Sequence, residues 1–566
     1  MGSSFFGFNI ATQGLNVARG ALSITNHNIS NVETRGYSRQ QAVQRASRPL
    51  SSNTGIGMIG TGSEITNIVR IREQYLDSKF LRVNGSAGHY DVKETAMKEL
   101  ESIFNEPSDA GFNTAIDDLF NSLQDLSKNP GDDSYKTAAV GKLDTFAKYF
   151  NTVAGEFQDF QSTINSTIET KVNQINNIGI QIQQLNNQIS SLEFSGDMAN
   201  DLRDQRDLLV DDLSRIVNTE TKETTLKNGT KEFKVLINGE TFVDNESVRQ
   251  LKVVARENKA NPEDVKGLYD IKWKTGQMFN TDKPGFEGEL KGYLDIRDGN
   301  NNMNLTGDVK GVLPEASTDK WEVSIGNPSR LDILDNGQIT INNKTYKYDS
   351  FKIEDDGDIT FNGVSPNPTA DVKLGDKLES GESTEYKGVP YYMNKLNDFV
   401  RTFANEFNEI HNQGQTESGE TNKDLFTFKG DPKTAYNFGV SEDILNNVDN
   451  LATRYNKNDG ESDNDLINDL ISIKQESKAF GNGKPSTYME LVISQAGIDT
   501  KKAESFNINK ENMVQSVQNQ RLSNSGVDLN EEAQNMIKYQ QAYNTAAKML
   551  SVMNEIYNVT INQMGI

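Results

Sequence analysis

The chain has 566 residues, of which 25% are charged and 35% hydrophobic, and its formal net charge is −23. Such a length indicates several domains, and the negative charge argues against general nucleic-acid binding. The sequence contains no cysteine, which excludes disulfides, thiolate metal sites and a cysteine nucleophile. Its three histidines, His27, His89 and His411, are too dispersed for a histidine-rich metal site.

The first 32 residues are predicted to form a helix. Apolar and small residues recur there at alternating steps of three and four, a spacing that keeps one seam on a helix and suits coiled-coil packing. The seam consists of Phe8, Ala11, Leu15, Ala18, Leu22, Thr25 and Ile29. Residues 33–66 are predicted to be extended, and the glycines at positions 55, 57, 60 and 62 indicate a flexible or tightly turning loop.

Residues 67–220 are predicted to be mostly helical. Apolar residues recur in steps of three and four over residues 168–192 and again over residues 202–216, with a break between them. Two such runs are typical of antiparallel helices joined by a loop, although two core helices of any bundle would show the same pattern.

From about residue 221 to residue 388 the apolar period changes to two. Short alternating segments are bounded there by NG, DG and DN turns, which predicts antiparallel hairpins. Helical periodicity returns over residues 389–413, and residues 414–500 mix turns with short helices. The sequence therefore predicts a β insertion, possibly of two subdomains, between two helical segments.

The predicted C-terminal helix carries two apolar stripes. The first consists of Met536, Tyr539, Tyr543, Ala546, Leu550, Met553, Tyr557, Thr560 and Met564, and the second of Met549, Val552, Ile556 and Val559. An ordinary antiparallel helix pair in a monomer's core would explain the first stripe. The second favours burial by neighbouring subunits, because a helix that is apolar on several faces needs several partners. Polar residues interrupt any run of the roughly 20 apolar residues that span a membrane, so we expect no membrane insertion.

The predicted fold class is α+β. We expect an elongated multidomain protein with paired, coiled-coil-like terminal helices, a central helical rod domain and an antiparallel β insertion. Residues 1–66 would pair with residues 515–566, residues 67–220 and 389–514 would form the helical domain, and residues 221–388 would form the insertion.

No catalytic constellation is visible in the sequence. The acidic runs at residues 355–358 and 461–470 are typical of solvated faces, and the first lacks the closing Glu and flanking helices of an EF-hand. We therefore predict no catalytic residue, no cofactor and no metal site, and a protein that is not an enzyme.

Three segments resemble one known family. NHNISNVETRGYSRQ, residues 26–40, resembles the N-terminal signature of flagellar rod, hook and hook-associated axial proteins; Ser30 and Arg35 depart from its usual Ala and Pro. The matching positions are Asn28, Ile29, Asn31, Thr34, Gly36 and Tyr37. YQQAY, residues 539–543, resembles the C-terminal signature of the same family. LRDQRDLLVDDLS, residues 202–214, and the SRQ after GY resemble the hook-associated members in particular.

The resemblance implies a structural subunit of the bacterial flagellum that forms the junction between hook and filament by helical self-assembly through its terminal helices. The implied partners are further copies of the chain, the hook protein, the second junction protein (hook-associated protein 3) and an export chaperone on the C-terminal helix, with no nucleic acid. The implied location is extracellular, after export without a cleaved Sec signal. Two alternatives remain. The chain could be another axial protein, such as a hook or distal rod protein, or it could be a binding or adhesion module carried by the β insertion.

The predicted axial assembly interface combines the two seams with the matched signature. It consists of Leu15, Ala18, Leu22, Ile29, Asn31, Gly36, Tyr37, Tyr539, Tyr543, Ala546, Leu550, Met553 and Tyr557. We also expect that removal of residues 221–388 leaves the helical domain folded and competent for assembly.

Overall fold

The computed structural model describes residues 6–562 apart from several short segments. The segments outside the description are residues 52–57, 105–110, 227–230, 260, 262–263, 282, 300–304, 316–319, 327–336, 343, 355–357, 381–386, 431–432, 476–479 and 481–483. Gly55, Gly57, Met564 and most of the acidic run at 355–358 therefore lie outside the described residues.

Helices form most of the molecule. They are α1 (Phe6–Ser30), α2 (Gln74–Ile103), α3 (Phe112–Lys128), α4 (Asp133–Phe194), α5 (Asn200–Ile216), α6 (Glu289–Asp298), α7 (Val389–His411), α8 (Glu442–Asn446), α9 (Asp465–Ser472), α10 (Pro485–Ser525) and α11 (Leu529–Asn562). Single 3-10 turns occur at Ala435–Asn437, Val448–Asn450 and Lys457–Asp459.

The strands fall into three regions of the chain. The first region holds β1 (Gln40–Ala46), β2 (Leu50–Ser51), β3 (Met58–Ile59) and β4 (Ser63–Arg70). The second holds β5 (Thr219–Thr225), β6 (Lys231–Ile237), β7 (Glu240–Val243), β8 (Leu251–Ala255) and β9 (Tyr269–Trp273). The third holds β10 (Leu305–Pro314), β11 (Trp321–Gly326), β12 (Gly337–Ile341), β13 (Lys344–Tyr348), β14 (Ser350–Ile353), β15 (Ile359–Val364) and β16 (Lys377–Ser380); the short β17 (Phe426–Phe428) and β18 (Phe438–Val440) pair later in the chain.

Helices α2 to α10 make up what we call the helical body, and the 62-residue helix α4 is its central element. The side chain of Asp132 caps its first turn by accepting a hydrogen bond from the Ser134 amide at 2.8 Å. Its apolar stripe packs against α3, α5, α6 and α7, and aromatic rings interlock at the contact with α7, where Phe150 stacks on Phe399 at 5.2 Å. The predicted helix pair over residues 168–216 is confirmed as the antiparallel end of α4 followed by α5.

Strands β5 to β9 belong to the core of this helical body. Phe242 and Trp273 are almost completely buried in the same hydrophobic cluster as the helices. Asn176 of α4 fixes the start of β8, because its side chain donates to the Leu251 carbonyl at 2.9 Å and accepts from the Leu251 amide at 2.8 Å. These strands are therefore an integral layer on α4.

Strands β10 to β16 form a separate unit. They make a seven-stranded antiparallel sheet in the order β13-β12-β16-β10-β11-β15-β14. The backbones of Lys347 and Ser365 exchange hydrogen bonds of 2.7 and 2.9 Å, so that β13 also meets the end of β15 and the sheet curls towards closure. Inward residues such as Val323, Ile325 and Phe361 build a hydrophobic core of its own.

The predicted α+β fold with paired terminal helices is confirmed, but the layout of its β region differs from the expectation. Residues 221–388 were predicted as one insertion, possibly of two subdomains, because both groups of strands share the same period of two. We propose that the inserted domain is residues 300–387 alone, since the Gly388 amide donates to the Gly299 carbonyl at 2.9 Å and brings its two ends together. The C-terminal helix paired with α1 begins at Leu529, and residues 515–525 belong to α10.

Removal of residues 300–387, with Gly299 joined to Gly388 through a short linker, is expected to leave cooperative thermal unfolding of the helical body intact. Removal of residues 221–388 is expected to abolish it, because loss of large core side chains such as Trp273 and Phe242 costs about 3–5 kcal/mol each. Near-ultraviolet circular dichroism and thermal melting compare the two deletions. Equal loss of cooperative unfolding in both would contradict the proposed boundaries.

Candidate functional site

The terminal helices α1 and α11 pack against each other in antiparallel fashion. Phe8 near the start of α1 meets Tyr557 near the end of α11, with ring centroids 6.4 Å apart. A Cβ atom added at Gly7 would lie 2.9 Å from Met553 Cε, and one added at Gly14 would lie 3.9 Å from Ala546 Cβ. Small residues on α1 thus let the two helices approach closely.

The predicted seam residues all lie on or beside this helix pair. Ala11, Ala18 and Thr25 are buried, Phe8 is 36% exposed, and the other seam residues assigned to the interface are partly buried. The partly buried residues are Leu15, Leu22, Ile29, Tyr539, Tyr543, Ala546, Leu550, Met553 and Tyr557. Their role in assembly stays a prediction.

The second stripe of α11 is exposed. Met549, Val552, Ile556 and Val559 are 50%, 46%, 49% and 40% exposed, respectively. Pairing with α1 therefore covers one face of α11 and leaves a second apolar face on the surface. Among the described residues, no helix is long and apolar enough to cross a membrane.

A buried asparagine holds the loop that follows α1. The side chain of Asn28 donates to the Gln40 carbonyl at 2.9 Å and accepts from the Gln40 amide at 3.0 Å. The Tyr37 hydroxyl donates to the same Asn28 oxygen at 2.7 Å. One turn further on, Asn31 donates to the His27 carbonyl at 3.0 Å and so extends the end of the helix. The matched signature is therefore the set of side chains that turns the chain back along α1.

Gly36 in this loop has a backbone conformation that favours glycine. Its φ angle is +83°, and a Cβ atom there would lie 3.2 Å from Leu208 Cβ of α5. The glycine therefore allows both the turn and the close approach of the loop to α5.

The same loop docks on α5. The Ser38 amide donates to Asp204 at 2.9 Å, and the Gln40 side chain donates to Asp201 at 2.7 Å. Arg70 of β4 then bridges Asp204 and Asp207 at 2.7 and 2.8 Å. The segment LRDQRDLLVDDLS supplies Asp204 and Asp207, and Asp201 directly precedes it. Two of the three resembling segments therefore meet in space.

We call the loop after α1 and its docking site on α5 the joint. Arg39 connects this joint to the start of α11. Its amide donates to the Ser525 carbonyl at 2.9 Å, and its guanidinium contacts Glu531 and Glu532 at 2.7 Å each. The side chain of Glu532 is only 2% exposed, which makes this a desolvated pair. Arg39 therefore ties the loop after α1 to the helix that pairs with α1.

Burial perturbs the acidic groups of the joint. It raises the pKa of Asp204 against the opposing effect of Arg70, and it raises the pKa of Asp211 to about 6 against the effect of Arg521. Burial acts on Asp207 in the same direction, but Arg72 and Arg70 outweigh it and hold its pKa below the usual value. Burial and, to a smaller extent, the negative charge of Asp201 raise the pKa of the Tyr37 phenol. Each of the three carboxylates faces an arginine, which indicates a structural ion network.

Sequence reasoning missed most of this joint. Asn31, Gly36 and Tyr37 were predicted, whereas Arg39, Arg70 and the carboxylates of α5 were not assigned to the site. Their partners lie far away in the chain, so local periodicity gives no signal for them. Among the described residues, no group of three or more His, Asp or Glu side chains could hold a metal ion.

Asn28→Ala is expected to loosen the loop, because it removes the partner of the Gln40 amide and carbonyl and of the Tyr37 hydroxyl. Leaving buried polar groups unsatisfied costs about 1–3 kcal/mol. At a loss of about 2 kcal/mol, amide hydrogen exchange over residues 37–46 should be roughly 30-fold faster. Asn26→Ala, at an exposed position of the same helix, is the matched control. Equal exchange in the two variants would contradict the assigned role of Asn28.

Comparison with known proteins places these features in a family. The model of the "Flagellar hook-associated protein FlgK helical domain" matches residues 97–318, and that of the "Flagellar basal body rod FlgEFG protein C-terminal" matches residues 518–564. The second match covers the whole of α11.

Curated relatives match over the whole length. Flagellar hook-associated protein 1 of Bacillus subtilis (strain 168) is 28% identical over 581 residues, which cover 100% of this chain and 99% of that protein. The protein of the same name from Salmonella typhimurium is 26% identical over 579 residues, which cover 98% and 99%. The structure of the flagellar hook junction protein FlgK from Burkholderia pseudomallei aligns with 62% of this chain and 46% of that chain, at 19% identity and a TM-score of 0.40, which is too low to support an argument.

The two matching family models lie on the helical body and on the helix that pairs with α1, and the relatives extend over both. Over its whole length the chain is similar to flagellar hook-associated protein 1, and it is a structural subunit of the flagellum.

Proposed function

We propose that this chain forms the junction between hook and filament, and that copies of it assemble through the helix pair α1 and α11. The observation that carries the proposal is the exposed stripe of α11, which remains on the surface after the other face has paired with α1. A buried stripe would instead indicate an ordinary core helix of a monomer.

The stripe is suited to an assembly made of many weak contacts. Complete burial of a large apolar side chain contributes about 1.5–3 kcal/mol, and the stripe residues are about half exposed. Each would therefore contribute on the order of 1 kcal/mol when a neighbour covers it. Such contributions stabilise a lattice in which every copy has several neighbours and leave an isolated pair weak.

The proposed partners are those that the similarity to flagellar hook-associated protein 1 implies. Further copies of the chain cover the stripe within the junction, the hook protein lies on one side, and the second junction protein, hook-associated protein 3, lies on the other. Before export, a chaperone covers the C-terminal helix. The chain would then act outside the cell after export without a cleaved Sec signal.

The proposal assigns no catalytic activity to the chain. The buried carboxylates of α5 are each held by an arginine, as with Asp204 and Arg70 at 2.7 Å or Asp211 and Arg521 at 2.9 Å. His411 also has a structural hydrogen bond, because its Nε2 accepts from the Ala452 amide at 3.0 Å. These groups with shifted pKa values therefore have structural partners within the fold.

Val552→Asp is expected to prevent formation of the junction without changing the stability of the monomer. Because Val552 is exposed in the single chain, the free energy of unfolding should change by no more than about 0.5 kcal/mol. Cells that carry this variant in place of the native gene should make hooks without filaments and lose filament subunits to the medium. Electron microscopy of hooks, immunoblots of the medium and a thermal melt are the measurements. A stable, exported variant that supports normal filaments would refute the proposed role of the stripe.

Leu550→Asp is expected to act at the other face. Leu550 lies on the seam towards α1, so the carboxylate would separate the helix pair at a cost on the order of 3 kcal/mol, the lower end for an unpaired buried charge. Hydrogen exchange over α1 and α11 should accelerate, whereas the core of α4 should stay protected. Secreted protein is measured in parallel, because the same helix is the proposed chaperone site. Unchanged exchange in α1 would contradict the pairing.

A further inference from the structure

The hairpin that follows the signature loop carries a second exposed apolar surface. Strands β1 and β4 pair along their length, and beyond them Leu50 pairs with Ile59 and Ser51 with Met58. Leu50, Met58 and Ile59 are 57%, 74% and 48% exposed. We call these three residues the outer hairpin. Leu50 and Ile59 form a cross-strand pair on one face of the hairpin, and Met58 lies on the other face. Exposed large apolar side chains of this kind are typical of an interaction surface.

The outer hairpin lies at the same end of the molecule as the exposed stripe of α11. The Ser47 hydroxyl contacts Gln13 of α1 at 3.2 Å, and a Cβ atom on Gly20 would lie 2.6 Å from Ile65, so the hairpin runs towards the start of α1. The contacts pass from Gly20 to Gln13 as the hairpin continues towards its tip. The outer hairpin therefore lies beyond Gln13, on the side of the first turn of α1, where Phe8 meets Tyr557.

The two apolar surfaces lie on different flanks of α1. Gly7 and Gly14 face α11, whereas Gln13 and Gly20 face the hairpin. At 3.6 residues per turn, Gln13 and Gly20 point about 100–120° away from Gly14 around the helix axis. The hairpin and α11 therefore flank α1 from different directions, and the outer hairpin does not cover the stripe of its own chain.

Opposite charges accompany the two surfaces. Arg48 is exposed two residues before Leu50, and Glu555 is exposed three residues after Val552 and four before Val559. Within the described part of the chain neither side chain forms an ion pair. The N-terminal segment is basic as a whole, because residues 1–85 carry nine Lys or Arg and four Asp or Glu, whereas residues 501–566 carry six of each.

We propose that the outer hairpin of one copy packs on the α11 stripe of the next copy, with Arg48 beside Glu555 of that neighbour. The proposal rests on the proposed function, since it specifies how copies meet within the junction. A second copy is the fitting occupant because both surfaces are apolar, carry charges of opposite sign, and lie on different flanks of α1. Such a contact joins two different patches of one chain, so it repeats from copy to copy and forms a ring or helical array.

Cross-linking tests this contact directly, because the native chain contains no cysteine. The full chain with Arg48→Cys and Glu555→Cys is placed in cells that lack the native gene, and isolated flagella are treated with a short bismaleimide. The expected result is a ladder of covalent dimers, trimers and higher multimers. Each single variant should give no ladder. The matched control combines Arg48→Cys with Glu156→Cys, at an exposed position on α4, and should give none either.

Charge exchange tests the polar part of the contact. Arg48→Glu and Glu555→Arg are each expected to lower the number of filament-bearing cells by about tenfold or more, because each places like charges together. The two combined should restore it, whereas Arg48→Glu with Glu156→Arg should not. Thermal melts of the purified variants check that each one folds.

The possible outcomes separate this inference from the proposed function. Filament-bearing cells that give no ladder, or only dimers, would overturn the hairpin contact and leave the junction role intact; so would single reversals that assemble like the native chain. A native chain that is absent from the zone between hook and filament would overturn the proposed function itself.

Discussion

The docking of the loop after α1 on α5 is the constraint on which the rest of the structure depends. The Ser38 amide binds Asp204, and Asn28 clamps the returning strand at Gln40, so the direction of α1 relative to the helical body is fixed by hydrogen bonds. Arg39 then joins the same loop to Glu531 and Glu532 at the start of α11. The face that α11 leaves exposed is therefore set by side chains close to the joint.

Charge within this joint is distributed so that a desolvated network remains stable. Buried carboxylates are costly unless they are paired and hydrogen-bonded, and each of Asp204, Asp207 and Asp211 meets at least one arginine. Loss of one partner would leave an unpaired buried charge, which is strongly destabilising. The inserted domain at residues 300–387 is independent of this network, because its hydrophobic core is separate from that of the helices.

Local patterns in the sequence predicted much of the fold. The stripes of α1 and α11 and the hairpins β6–β7, β12–β13 and β14–β15 follow from apolar period and from turn residues. The break between α10 and α11 was missed although it has a local signal: Gly526 follows the last residue of α10, and Asp528 accepts a hydrogen bond from the Asn530 amide at 2.8 Å as a helix cap does. The packing of β5 to β9 on α4 could not be predicted, because an alternating strand looks the same whether its apolar face meets a helix or another sheet. The joint was missed for a related reason, since Ser38 and Asp204 are 166 residues apart.

The central claim is that the two chain ends form one helix pair whose remaining apolar face is covered by other copies. Cryo-electron microscopy of isolated flagella, at a resolution that shows side chains between hook and filament, tests it most directly. The account predicts density for this chain confined to that zone, with α1 and α11 antiparallel and Met549, Val552 and Val559 buried against a neighbouring copy. A map in which these three side chains face solvent, or in which α11 pairs with a helix other than α1, would contradict it.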